Sequence, residues 1–234
     1  MTDSVSLLAI LQLADSQTPI GAAAHSFGLE GLTADQGLTV DDLADFLRGY
    51  LAEAGALEAD FCRDAYAMAD SSEDAFDGQW TRLNQELSAW KMSRESRTAS
   101  ATLGRRFLRL AAGLSGAPLL AQADLAARQA GCDIHHATAF GLVGGALGWG
   151  MDGCVVAYLQ QNVAALVSAA QRLLPLGQTR AARLIWDLQG EIVNAASPPQ
   201  PLPVGEGLGR GAFTPWLEIA SMRHPALTTR LFIS

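Results

Sequence analysis

His135-His-Ala-Thr-Ala-Phe140-Gly-Leu-Val-Gly-Gly145-Ala-Leu-Gly-Trp149 decides how this chain folds. Ala137, Gly141 and Gly145 recur every fourth residue, with Gly144 and Gly148 alongside. Small residues on one stripe of a helix let a second helix approach closely, whatever the solvent. The stretch therefore reads as the centre of a helical bundle. On its C-terminal side, Val156, Leu159, Val163, Leu166, Val167, Ala170, Leu173 and Leu174 give the cleanest helical period in the chain. Composition agrees: 41 Ala and 34 Leu stand against 16 Val plus Ile, so helix formers outweigh β-branched residues. The expected fold is all-α, a single-domain bundle of roughly ten helices.

Both apolar stretches raise the question of a membrane span. Residues 137–151 are too short and carry five glycines. Residues 153–171 hold Gln160, Gln161 and Asn162 at their centre, which lipid would leave unsatisfied. Buried helices explain both better, so no membrane partner is expected. The net charge of -8 argues against nucleic acid. Three scattered cysteines, Cys62, Cys132 and Cys154, without a Cys-x-x-Cys pair, and a start without a basic and apolar leader, point to the cytoplasm.

Working outward, Ser4–Ala14 reads as a short opening helix, interrupted by Pro19 and Gly21. Helix is expected again from about Ala22 to Gly37. Thr39 is expected to cap an amphipathic helix that bends at Gly55 and runs to about Ala69. A further helix covers Asp74–Leu87. Ser88–Leu114 reads as one helix with apolar ends and a polar middle, Lys91 to Ser100, which must face water, another subunit or a polar groove. Gly116-Ala-Pro118 breaks the chain before a helix over Leu119–Ala130, and Ala181–Ile192 marks the last long helix. Residues 35–77 carry a local −10 and residues 82–110 a local +5. These are either solvated faces of opposite sign or a docking face. The bundle is placed at residues 1–195, a Pro/Gly linker at 196–214, and a C-terminal docking segment at 215–234. That last segment, with Trp216, Phe232 and two arginines, is costly to leave in water.

Catalytic motifs are missing: there is no phosphate loop, dinucleotide fingerprint or His-Glu-x-x-His. One cluster has metal-ligand chemistry. Cys132, His135 and His136 offer soft and imidazole donors suited to Ni²⁺ or Zn²⁺. The competing reading is that Asp133 caps the helix and the histidines pack. His25 and His224 read as structural histidines. Glu30, in a segment of small and apolar residues, is a candidate for pairing with Arg97. A hydrolase built on Glu30, His25 and Arg97 needs those side chains to converge in a pocket.

Several segments together resemble the urease accessory protein UreF family. They are Leu11-Gln-Leu-Ala-Asp15-Ser16, Pro19-Ile-Gly21, His25-Ser26-Phe-Gly28-Leu-Glu30, Glu95-Ser96-Arg97, His135-His136 ahead of Phe140-Gly141, and Arg172-Leu-Leu-Pro175-Leu-Gly177-Gln178. The match closes with Ile219-Ala-Ser221-Met-Arg223-His224 and Arg230-Leu-Phe232-Ile-Ser234. It covers essentially the whole chain. Ala22, Pro225 and Thr228 depart from the pattern, and Pro225 removes a carboxylate and a backbone donor.

The resemblance implies an all-α, non-catalytic homodimer without a cofactor. It would bind the UreD/UreH accessory protein and the UreG GTPase, and the assembly would deliver nickel to apo-urease. It places UreD/UreH on Ile219, Met222, Arg223, His224, Arg230, Leu231 and Phe232. It places the GTPase or the dimer surface on Glu30, Glu95, Arg97, Arg172 and Gln178. Arg172 is a candidate finger for a phosphoryl group. A direct nickel carrier using Cys132, His135 and His136 is the alternative.

Overall fold

The structure, a computed structural model, describes residues 4–15, 18–21, 25–26, 28–35, 37–198, 222 and 231–233. Among these the secondary structure is helical throughout: α1 Ser4–Leu13, α2 Leu29–Asp35, α3 Leu43–Tyr50, α4 Ala56–Ala67, α5 Glu73–Trp90, α6 Arg94–Ser115, α7 Pro118–Ala130, α8 His136–Ala146, α9 Met151–Leu173, α10 Gln178–Asp187 and α11 Gln189–Ala196. A π turn, Leu51–Gly55, joins α3 to α4, and a 3-10 turn, Met68–Asp70, ends α4.

Helix α8 is the axis of the bundle, packed between α4 and α6 with α9 alongside. Its glycines explain the closeness. A Cβ on Gly141 would lie 1.9 Å from the Cys62 carbonyl oxygen, and one on Gly145 would lie 2.4 Å from that of Tyr66. On the other side Gly104 of α6 meets the Ile134 carbonyl at 2.3 Å in the same sense. Every residue from Ile134 to Gly144 is buried. The first amides of α8 are capped by its neighbours: Asn84 Oδ1 of α5 accepts from His135 N at 2.9 Å, and Ser100 Oγ of α6 accepts from His136 N at 3.3 Å. Asp133, read as a cap, instead pairs with Arg105.

Helix α9 is long and apolar enough to cross a bilayer by length and composition, and half of its apolar window is buried in the bundle. It packs against α4, α8, α10 and α11.

Four expectations are corrected. Among the described residues of the segment expected to be helical from residue 22, the helix covers Leu29–Asp35, and His25 and Ser26 lie outside any helix. Thr39 does not cap: Asp42 is the N-cap of α3, and its carboxylate accepts from the Thr39 amide at 3.0 Å and hydroxyl at 2.6 Å. The last long helix is two, α10 and α11, meeting at Leu188. Most consequentially, Ser88–Leu114 is not one helix. It breaks at Lys91–Ser93, so the polar middle is divided between that turn and the first two turns of α6.

The opposite charges of residues 35–77 and 82–110 hardly meet. Lys91–Glu58 is the one ion pair between them among the described residues, while the α6 arginines Arg105 and Arg109 go to Asp133 and Asp124.

Candidate functional site

Glu30 lies in the first turn of α2 and is 4% exposed. A buried carboxylate needs donors, and here the far end of the chain supplies them. Leu231 N donates to Oε1 at 2.5 Å and Phe232 N to Oε2 at 3.3 Å. Phe232 is itself buried, with the Arg172 guanidinium 5.4 Å above its ring, a cation–π arrangement. Arg172 is in the last turn of α9, where its charge also suits the helix dipole. Leu231 and Ile233 point to solvent, 67% and 74% exposed. The C-terminal tip is thus clasped by α2 and α9, and it presents two aliphatic side chains outward.

The loop before α2 is held from α6. Arg106 Nη1 donates to Ile20 O at 3.1 Å. Gly21 has φ +87°, which favours glycine, and a Cβ there would lie 2.5 Å from the same Nη1 and push the arginine tip aside. Burial, then Arg106, hold His25 below its ordinary pKa.

A second polar cluster lies inside the bundle. Glu58 of α4 receives Lys91 Nζ at 2.5 Å and Tyr158 OH at 2.8 Å. Burial pushes its carboxyl up, but Lys91 and the two hydrogen bonds more than offset this, so the net shift is down. His136 lies in an aromatic cage of Phe107, Phe140 and Tyr158, its Nε2 buried without a hydrogen-bond partner. Burial lowers its pKa to about 4.

A family profile described as UreF matches residues 38–189. The chain is 33% identical over 239 residues to the urease accessory protein UreF of Geobacillus kaustophilus (strain HTA426), covering 100% of each. It is also 32% identical to that of Lachnoclostridium phytofermentans over 97% of this chain and 98% of the other, and 30% identical to that of Bacillus sp. (strain TB-90) over 97% and 99%. The chain belongs to the UreF family. The profile stops short of Glu30 and the clasped tip, but the full-length UreF relatives run across both.

Among the described residues, those picked out by the UreF resemblance fall into four places. Glu30, Arg172, Leu231 and Phe232, expected on two different partner surfaces, come together in the clasp. Glu95 and Arg97 open α6. The anticipated Glu30–Arg97 pair is replaced, because Arg97 Nη1 donates to the Lys91 and Met92 carbonyls at 2.5 and 2.9 Å. Gln178 is exposed at the start of α10. Met222 is 45% exposed. Ile219, Arg223, His224 and Arg230, like most of the expected linker, lie outside the described residues.

The Cys132–His135–His136 metal set is not assembled. No group of three His, Cys, Asp or Glu side chains able to hold a metal occurs among the described residues. His135 Nε2 is 2.6 Å from Ser88 Oγ and Nδ1 is 3.2 Å from Ser100 Oγ, so both ring nitrogens have partners. Burial, with Lys91 and Arg97 nearby, lowers its pKa to about 3. His136 turns the other way, into its cage. Sequence reading missed Glu58, Lys91, Tyr158 and Asn84, and only the odd lysine between Trp90 and Met92 hinted at them.

Proposed function

We propose that the chain is a non-catalytic cytoplasmic scaffold of nickel-metallocentre assembly. It recruits the UreD/UreH protein and the UreG GTPase, supports nickel insertion into apo-urease and modulates GTP hydrolysis by UreG. Nucleic acid and membrane are not among its partners. The observation that carries this reading is the clasp. A buried carboxylate and an arginine–aromatic contact hold the chain's last residues on the bundle, with Leu231 and Ile233 left outward as a partner anchor. The test is capture of purified UreD/UreH and UreG by the full chain and by a chain truncated after Ala212. The full chain is expected to form the ternary complex and the truncation to lose UreD/UreH. Phe232→Ala removes the ring that seats the tip under Arg172, and by releasing Leu231 and Ile233 it is expected to weaken UreD/UreH binding about thirty-fold, the equivalent of ~2 kcal/mol. Equal capture by all three chains overturns the tail as anchor. The nickel-carrier reading draws no support from the geometry, because its imidazoles are engaged elsewhere.

The scaffold is a homodimer on the same proposal, and α1 suits the interface. Val5, Leu7, Leu8 and Leu11 are 51–76% exposed, and no charged residue lies between Ser4 and Leu13. An uncharged apolar helix packs on its own copy about a two-fold axis without desolvating any charge. Leu8→Glu with Leu11→Glu is expected to convert a dimer to a monomer by light scattering. A wild-type chain that is monomeric at tens of micromolar removes this assignment.

A further inference from the structure

Two of the three cysteines, far apart in sequence, meet inside the bundle. Cys62 of α4 and Cys154 of α9 are both fully buried. Cys154 Sγ donates to the Phe140 carbonyl of α8 at 3.7 Å, which leaves its sulfur to accept from the Cys62 thiol. Helix α8 holds the pair from two points one turn apart. A Cβ on Gly141 would strike the Cys62 carbonyl, and one on Gly144 would lie 2.4 Å from Cys154 Sγ. Cys132 precedes the opposite end of α8.

Hydrogen-bonded thiols stand much further apart than the 2.03–2.05 Å of a disulfide. Closing that gap means moving α4 and α9 together, and α8 already blocks both through Gly141 and Gly144. A bridging ion needs no such approach. With metal–sulfur bonds of about 2.3 Å, two sulfurs on either side of one ion stand about 4.6 Å apart, and small outward side-chain rotations reach that.

Ligand count selects the ion. No third His, Cys, Asp or Glu side chain joins the pair among the described residues, so a four-coordinate ion such as Zn²⁺ lacks its set. Soft thiolate donors alone suit Cu(I). Burial and the hydrogen bond to Cys154 push the Cys62 thiol well up, and Arg63, the next residue on α4, opposes them. Arg63 also has its Nε buried without a hydrogen-bond partner, so a positive charge and a spare donor stand beside any thiolate formed here. Entry is through the corner between α8 and α9. Gly148, Gly150, Asp152 and Gly153 are exposed, and Cys154 lies in the first turn of α9, so local opening of that turn uncovers it.

We infer that Cys62 and Cys154 form a two-coordinate dithiolate site for Cu(I). Two S–H bonds break, two Cu–S bonds form and two protons leave to solvent, with no change of oxidation state. The bound unit carries one negative charge, and the Arg63 guanidinium compensates it. The site is independent of the scaffold function proposed above, and it does not suit nickel(II), which prefers nitrogen and oxygen donors in a square plane.

The test is an anaerobic titration of the reduced full chain with Cu(I) held by bathocuproine disulfonate. The Cys132→Ser chain, which leaves the core untouched, is expected to take one Cu(I) and to melt at a higher temperature when loaded. X-ray absorption of that sample is expected to show two sulfur neighbours and no nitrogen or oxygen. Adding Cys62→Ser or Cys154→Ser is expected to lower Cu(I) affinity about a hundred-fold in a chain that circular dichroism shows to be helical. Undiminished uptake by either folded serine variant overturns the inference. So does a Cys132→Ser chain that takes up no Cu(I), binds it with three or four ligands, or melts at a lower temperature when loaded, since the ion then reaches the thiols only in the unfolded chain. Nickel(II) in place of Cu(I) is expected to leave the midpoint unchanged, and a rise that disappears with Cys62→Ser overturns the choice of ion.

Discussion

Gly141→Ala is expected to destabilise the protein by about 3 kcal/mol, the upper part of the range for overpacking a core. The added methyl carbon would lie 1.9 Å from the Cys62 carbonyl oxygen and 2.8 Å from its carbonyl carbon. Both are backbone atoms, so no side chain can rotate aside. Helix α4 must move as a unit, and it carries Phe61, Cys62 and Ala65, all fully buried. At roughly 2–4 °C per kcal/mol for a chain of this size, the thermal midpoint falls by about 6–12 °C. Gly113→Ala is the matched control. Gly113 lies in α6 with nothing within 4 Å of the new carbon, so helix propensity alone acts and the variant gains about 0.5–1 kcal/mol. Urea unfolding of the two variants reads both effects. A Gly141→Ala protein that unfolds with the wild type means that α4 and α8 are not in backbone contact.

The same glycine stripe is why the bundle's centre was legible in sequence. Spacing of small residues is a local signal, and Ala137, Gly141 and Gly145 stated it in nine residues. Gly116, at φ +67°, and Pro118, at the first position of α7, likewise wrote their break in residue type. The turn between α5 and α6 did not. Nothing at Lys91-Met92-Ser93 forbids helix, and the turn is imposed by Glu58, 33 residues back, and by Arg97 reaching to two carbonyls. A capping serine at Ser93 was the available clue, masked by the helix formers around it. The clasp was half legible. An apolar C-terminus announced that it must dock, but its receptor is a carboxylate that takes two backbone amides about 200 residues away. Backbone donors have no sequence signature, so Glu30 was matched to an arginine instead.

His135 and His136 show the same limit and carry the largest pH effect. Adjacent residues at a helix start point in directions about 100° apart. One imidazole enters a serine pair and the other an aromatic cage. Both are held neutral, with pKa values of about 3 and about 4 against an ordinary 6.5. Well above pH 6.5 neither the folded nor the unfolded chain binds these protons, and stability does not depend on them. Below it the unfolded chain takes up protons that the folded chain refuses, so stability falls as pH drops toward the folded values. Each histidine contributes up to about 1.4 kcal/mol per pH unit in that window. From pH 6.5 to pH 5 the pair removes about 3–4 kcal/mol, a large share of the ~5–15 kcal/mol that holds a domain folded.

Glu58 acts in the same direction but later. Its carboxyl is held below the ordinary value, so its contribution is present above about pH 4.5 and is lost beneath that. An onset near pH 6.5 therefore identifies the histidines. His136→Phe is expected to halve the slope of unfolding free energy against pH between 6.5 and 4.5. It should not destabilise the protein at pH 7.5, because it also removes the unpartnered Nε2. A wild-type chain with equal stability at pH 7 and pH 5 shows that both rings titrate normally. Neutral imidazole is the form that binds metal, so these two side chains carry the right protonation state for nickel throughout the physiological range. What withholds them is geometry: Ser88 and Ser100 occupy the nitrogens of one, and the aromatic cage encloses the other.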